Sequence, residues 1–160
     1  MPPLEHPFEP VFDRHSKVLL LGSFPSVKSR EYGFYYGHPQ NRFWKIMAYL
    51  TKTDLMPISV ESKKQMLLKN KIALWDVVRS CDIVGSSDSH MTNVLPADMS
   101  IVLQHSPIRQ IFANGDKAYK LYKKYIGHDV QRLSSTSPAN ATYGFERLVK
   151  EWEVMMSCLG

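Results

Sequence analysis

An apolar run at residues 17–21 stops at Gly22 and is followed by Ser23, Phe24, Pro25 and Ser26. A glycine directly after a buried strand lets the backbone turn sharply and come close to a ligand, and Pro25 stiffens that turn. Residues 32–44 then crowd Tyr32, Phe34, Tyr35, Tyr36, Phe43 and Trp44 around Gly37-His38-Pro39, with Asn41 at the start of a helical pattern. Aromatics at this density in a loop suit stacking on a planar ligand, and the Asn41 amide offers a donor and an acceptor. Further along, Leu133-Ser-Ser-Thr-Ser-Pro-Ala-Asn140 is a hydroxyl-rich loop. Small hydroxyls and amides before a helix can hold phosphate oxygens, or can simply cap the helix. Asn114 and His38 divide in the same way between ligand contact and a structural role, the first in an Asn114-Gly115 turn. Neither a GxGxxG nor a Walker pattern is present, which argues against dinucleotides and nucleoside triphosphates.

These residues need a frame that brings them together. Residues 17–21, 72–78, 108–113 and 130–133 read as strands. From Asn41 onward Phe43, Trp44, Met47 and Leu50 recur at helical spacing, and a second helix starts near Ser59 and runs through Leu68. A polar segment rich in Ser, Asp and Asn follows Val78, and a short helix covers residues 101–104. Residues 117–125 form a helix with Leu121, Tyr122 and Tyr125 on its apolar side, and Phe145, Leu148, Val149, Trp152 and Met156 mark a final amphipathic helix. Strands separated by crossover helices imply a mostly parallel sheet with helices on both faces, a three-layer α/β/α class. Ligands in such folds sit beyond the carboxyl ends of the strands, here after Leu21, Val78, Ala113 and Leu133.

At 160 residues the chain reads as a single domain, residues 1–160, and its 44% hydrophobic and 22% charged content excludes disordered, collagen-like and coiled-coil classes. No apolar run approaches the roughly 20 residues that span a bilayer, and the first residues lack the order of a signal peptide, so the cytoplasm is the expected compartment. Two cysteines, Cys81 and Cys158, cannot supply a thiolate cluster, and neither a metal nor a cofactor is expected. A net charge of +5 and a pI near 9.2 favour polyanionic partners. Lys28, Arg30, Arg42 and Lys45 flank the first motif, and Lys117, Lys120, Lys123 and Lys124 cluster later, where a solvated helix face is the bland alternative. A monomer is the default for a self-contained domain.

Taken together, Leu21-Gly-Ser-Phe-Pro-Ser26, Tyr35-Tyr-Gly-His-Pro-Gln-Asn-Arg-Phe-Trp44, Ile72-Ala-Leu-Trp-Asp-Val-Val78 with Ser80-Cys81, Asn114-Gly-Asp-Lys-Ala-Tyr119 and Ser135-Thr-Ser-Pro-Ala139 resemble the DNA-deoxyinosine (hypoxanthine-DNA) glycosylases of the uracil-DNA glycosylase superfamily. The resemblance runs over residues 17–153 with the motifs in order. It implies an α/β/α sandwich on a central four-stranded parallel sheet, excision of a base from double-stranded DNA, and no metal. It makes Asn41 the main catalytic residue and places Gly22, Ser23 and Phe24 in the base pocket. Tyr36 becomes the aromatic that stacks on the extruded base, with His38 and Asn114 as further candidates for the base edge. Ser135, Thr136, Ser137, Pro138, Ala139 and Asn140 become the loop that presses on the DNA backbone. One departure is Ser134, where the family pattern has Pro.

The expected reaction is monofunctional hydrolysis of an N-glycosidic bond, with hypoxanthine as leaving base. A base inside a duplex must be extruded first. The first motif holds no carboxylate to orient water, which predicts slow turnover. Uracil or a mismatched pyrimidine is the nearest alternative base. A non-catalytic reader of damaged DNA and a hydrolase of free nucleosides are the alternatives of other classes.

Overall fold

The chain is described from a computed structural model covering residues 3–53, 59–83 and 91–160. In chain order the elements are β1 (Leu4–Glu5), β2 (Val18–Gly22), α1 (Val27–Tyr32), α2 (Phe43–Leu50), α3 (Val60–Lys69), β3 (Ile72–Asp76), β4 (Val78–Ile83) and β5 (Met91–Pro96). They continue with α4 (Ser100–Leu103), β6 (Gln110–Asn114), α5 (Asp116–Tyr125), β7 (Val130–Leu133), α6 (Phe145–Trp152) and a closing 3-10 helix, Glu153–Cys158.

The four apolar runs that read as strands form one parallel sheet in the order β3-β2-β6-β7. Every residue of β2 and β3 is buried, so helices cover the sheet on both faces. Helix α5 packs on β6 and β7, α3 on β3, and α2 against α6. The core joins Leu19, Leu20, Phe43, Ile46, Phe112 and Trp152 across these layers. The strand order reverses direction of growth at β2, between β3 and β6, and this is where an open α/β sheet leaves a crevice.

Four features depart from the sequence reading. The strand expected over 72–78 ends at Asp76, and Val78 opens β4 in a separate antiparallel sheet of order β1-β4-β5. The Val77 and Val78 amides donate to Gly22 and Ser23 carbonyls at 2.8 and 3.0 Å, which turns the chain out of the parallel sheet. The polar segment expected as a loop holds β5, and its residues 84–90 lie outside the described ones. Tyr125, expected on the apolar side of α5, is exposed beneath the Lys124 ammonium, and Met155 rather than Met156 is fully buried because the chain tightens to a 3-10 helix after Trp152. Among the described residues no helix is long and apolar enough to cross a membrane.

Candidate active site

The parallel strands end on one side at Gly22, Asp76, Asn114 and Leu133, and the segments that leave them wall a cavity of about 740 Å³. Gly22, Ser23 and Phe24 reach it from the end of β2, Tyr36 and Asn41 from the aromatic loop, and Asn114 from the end of β6. A side chain at position 22 would not fit, since a Cβ there would lie 2.5 Å from Asp76 Oδ1 and 2.9 Å from the Tyr36 hydroxyl. Glycine is required by this close approach and not by its backbone angle.

Asn41 stands immediately before α2. Its Oδ1 accepts from the Phe43 backbone N–H at 2.9 Å and from Thr136 Oγ1 at 2.8 Å. A backbone N–H can only donate, so the oxygen end of the amide is fixed and Nδ2 is the end left for a ligand. Thr136 is wholly buried. Its hydroxyl accepts from Asn114 Nδ2 at 3.1 Å, and its own N–H donates to Asn114 Oδ1 at 3.1 Å. A chain of hydrogen bonds thus ties the end of β6, the hydroxyl-rich loop and the start of α2. Thr136, expected in the loop that presses on DNA, is buried as an internal strut and also lines the cavity.

Tyr36 has a left-handed backbone, with φ of 54°, a conformation costly for a bulky residue and held here by packing. Phe43, fully buried, stacks on its ring at a centroid distance of 4.1 Å. The Tyr36 hydroxyl is buried and has no hydrogen-bond partner among the described residues. Burial foremost, with the Asp76 carboxylate adding to it, pushes the phenols of Tyr35 and Tyr36 far above their ordinary range, so both stay protonated.

The loop after β7 brings Ser135, Ser137, Ala139 and Asn140 to the cavity, whereas Pro138 does not line it. His38 does not line it either: its Nδ1 accepts from Gln40 N–H at 3.0 Å and its carbonyl accepts from Asn41 N–H at 2.9 Å, which shapes the turn into α2. At Ser134 the backbone N–H donates to Glu151 Oε1 at 3.0 Å and the carbonyl accepts from Trp152 Nε1 at 3.0 Å. A proline there has no N–H to give, so this chain anchors the loop through α6 instead.

Three contributors escaped the sequence reading. Arg42, grouped there with cations facing a polyanion, spends its guanidinium on carbonyls of the loop, donating to Ser137 at 2.8 Å, Asn140 at 3.1 Å and Tyr143. Asp76 lines the cavity although only 4% exposed, and His6 Nε2 donates to its Oδ2 at 2.8 Å. A lone carboxylate inside the run Ile72-Ala-Leu-Trp-Asp-Val-Val78 was a legible signal, because charge is rarely placed in a buried strand without use. His6 carried no such signal. Of the later lysines, Lys117 lines the cavity, while Lys120, Lys123 and Lys124 are exposed on α5. Among the described residues no group of three or more His, Cys, Asp or Glu could hold a metal ion.

Comparison with known proteins locates this geometry. The sequence model of the uracil DNA glycosylase superfamily matches residues 9–155. The chain is 34% identical over 151 residues to a hypoxanthine DNA glycosylase from Methanosarcina acetivorans, covering 92% of this chain and 95% of the relative. It is 32% identical over 136 residues to a hypoxanthine DNA glycosylase from Methanosarcina barkeri, covering 83% and 86%. Among solved structures it is similar to that of a candidate uracil DNA glycosylase from Methanosarcina acetivorans, with a TM-score of 0.79, 33% identity, and coverage of 95% and 96%.

Proposed function

The chain belongs to the uracil DNA glycosylase superfamily, and on that premise we propose that it is a monofunctional DNA glycosylase that extrudes a deaminated base, hypoxanthine, and hydrolyses its N-glycosidic bond. The observation that carries this reading is the fixed Asn41 amide, whose oxygen is taken by Phe43 N–H and Thr136 Oγ1 so that Nδ2 remains as a donor on the cavity wall. Cleavage sends the bonding electron pair from C1′ to the base and leaves oxocarbenium character on the sugar. Water adds at C1′ and gives up its proton, and the base gains one. A rigid donor aimed at the base steadies the negative charge that builds there. Asn41 therefore acts on the leaving base rather than as an acceptor that orients water.

The surrounding groups have supporting tasks. Phe43 covers one face of Tyr36, and the Tyr36 ring stacks on the extruded base from the cavity side. Ser135, Ser137, Ala139 and Asn140 press on the DNA backbone beside the flipped nucleotide, and the exposed lysines of α5 attract phosphates.

The test is a single-turnover assay on end-labelled duplexes carrying one deoxyinosine, deoxyuridine or deoxyxanthosine, with wild type and Asn41→Ala in parallel and alkali to reveal abasic sites. The expected outcome is hypoxanthine release that Asn41→Ala lowers by about 100-fold or more, the scale of losing one preorganised donor, while duplex binding persists. Release of uracil alone would replace the substrate and keep the superfamily. Binding without any abasic site would leave a reader of damaged DNA.

A further inference from the structure

We propose that Arg147, laid against the ring of Tyr143, binds one phosphate of the DNA backbone flanking the extruded nucleotide. The inference rests on the glycosylase reading above and adds a group that fixes the duplex at the rim of the cavity. Tyr143 lines the cavity and packs against the main hydrophobic core. Its N–H donates to the Asn140 carbonyl at 3.3 Å, and its own carbonyl accepts from the Arg42 guanidinium. The residue is therefore fixed relative to the loop after β7. Arg147, in the first turn of α6, places its guanidinium carbon 3.8 Å from the centre of that ring.

Helix stability does not explain a cation at this position. The first turn faces the positive end of the helix dipole, where an acid is preferred. Arg147 is exposed, and among the described residues no carboxylate pairs with it. Arg42, the arginine at the other side of the loop, has its donors taken by the Ser137 and Asn140 carbonyls. Contact with a tyrosine ring uses the face of a guanidinium and leaves its N–H edge open. That edge is a planar fork that matches two oxygens of a phosphodiester.

The same contact decides between a phosphate and a base as the occupant. A base stacked on this face of the Tyr143 ring would have to displace the guanidinium, whereas a phosphate completes it. Arg147 does not line the cavity, so the phosphate it holds lies outside the base pocket, on a neighbouring nucleotide. Tyr143 is a positioning residue, since it orders the guanidinium before DNA arrives and acts through it.

Binding would be read by fluorescence anisotropy over a range of salt, on a duplex carrying one 2′-fluoroarabinoinosine, whose fluorine resists cleavage. Thermal unfolding would accompany each variant. Arg147→Ala is expected to raise Kd about tenfold and to lower the slope of log Kd against log salt by about one, the mark of one lost phosphate contact. The enzyme concentration that gives half-maximal excision of deoxyinosine should rise with Kd. Neutral methylphosphonates would then replace the phosphates around the lesion one at a time. At one position the replacement should weaken wild type and leave Arg147→Ala unaffected. Tyr143→Leu should weaken binding in the wild-type chain and add nothing in the Arg147→Ala chain, as expected of a residue that acts through another. An unchanged affinity and salt slope in Arg147→Ala overturns the proposal. A loss that no single neutral linkage reproduces also overturns it, because Arg147 would then be part of a diffuse field. Equal losses from Tyr143→Leu with and without Arg147 overturn the positioning role. Failure of wild type to release any base from deoxyinosine would instead overturn the glycosylase reading on which this rests.

Discussion

Thr136 is the residue through which the site's two amides are oriented. It donates to Asn41 Oδ1 and accepts from Asn114 Nδ2 while wholly buried, so its hydroxyl cannot be exchanged for a methyl without leaving both amides one partner short. Thr136→Val keeps the shape and is expected to cost about 1–3 kcal/mol in denaturant unfolding, the penalty for unpaired buried polar groups. Excision should fall with it, because an Asn41 amide held by Phe43 N–H alone is free to turn. If the variant keeps full stability and full single-turnover rate, the strut has no function. Asn41→Ala removes the same bond from the other side and so should also cost stability, and what distinguishes it is the larger fall in rate expected from losing the Nδ2 donor itself.

At the scale of elements, the loop after β7 is shaped mainly by contacts from outside itself. Its own bonds include Ser137 N–H to Ser135 Oγ at 3.1 Å and Asn140 Nδ2 to the Ser135 carbonyl at 3.0 Å. The larger share comes from α6, through Glu151 and Trp152 on Ser134, and from Arg42 at the start of α2. Arg42 spreads its donors over several carbonyls, which a planar fork can do and a single ammonium cannot. Arg42→Lys is therefore expected to behave nearly as Arg42→Ala, losing about 2 kcal/mol or more of stability by chemical denaturation and weakening duplex binding. A lysine variant with wild-type stability and binding would assign the loop's shape to its own residues. A six-residue helix, α1, closes the first loop with Ser26 as N-cap, its Oγ accepting from Ser29 N–H at 3.1 Å.

For the molecule as a whole, the cavity forms where the sheet order reverses, so its walls are drawn from opposite ends of the chain. Burial of phenols follows from the same packing. Burial raises the Tyr122 hydroxyl as well, and its hydrogen bond to Asp129 at 3.0 Å adds to the shift. Tyr35, Tyr36 and Tyr122 all have folded-state values above the ordinary 10.0. A raised value means that the folded chain keeps protons the unfolded chain would release, so stability is full below pH 10.0 and falls as pH rises beyond it. In pH-jump experiments the phenolate absorbance of these residues should appear only with the loss of helical circular dichroism. Full phenolate absorbance before any unfolding would contradict the buried placement.

Period and composition were sufficient for the parallel sheet and the main helices, because strand and helix patterns are local records of which face is buried. All four strands of the central sheet and helices α2, α3, α5 and α6 were legible in this way. The motifs placed Gly22, Phe24, Tyr36, Asn41 and Asn114 near one another, since the ends of parallel strands must converge on one edge. Partners could not be read. All three strands of the small sheet were missed: β1 is only two residues long, β4 continues an apolar run and β5 lies in polar sequence. His6 meets Asp76 across 70 positions, and Arg42 meets the loop carbonyls across 95 to 101. Sequence patterning put Asp76 inside an apolar run expected as a strand over 72–78, and only the tertiary structure decided that the strand would end there with one carboxylate oxygen held by His6. Burial depends on a residue's own neighbourhood in the chain, whereas pairing depends on where the fold returns segments that are distant in it.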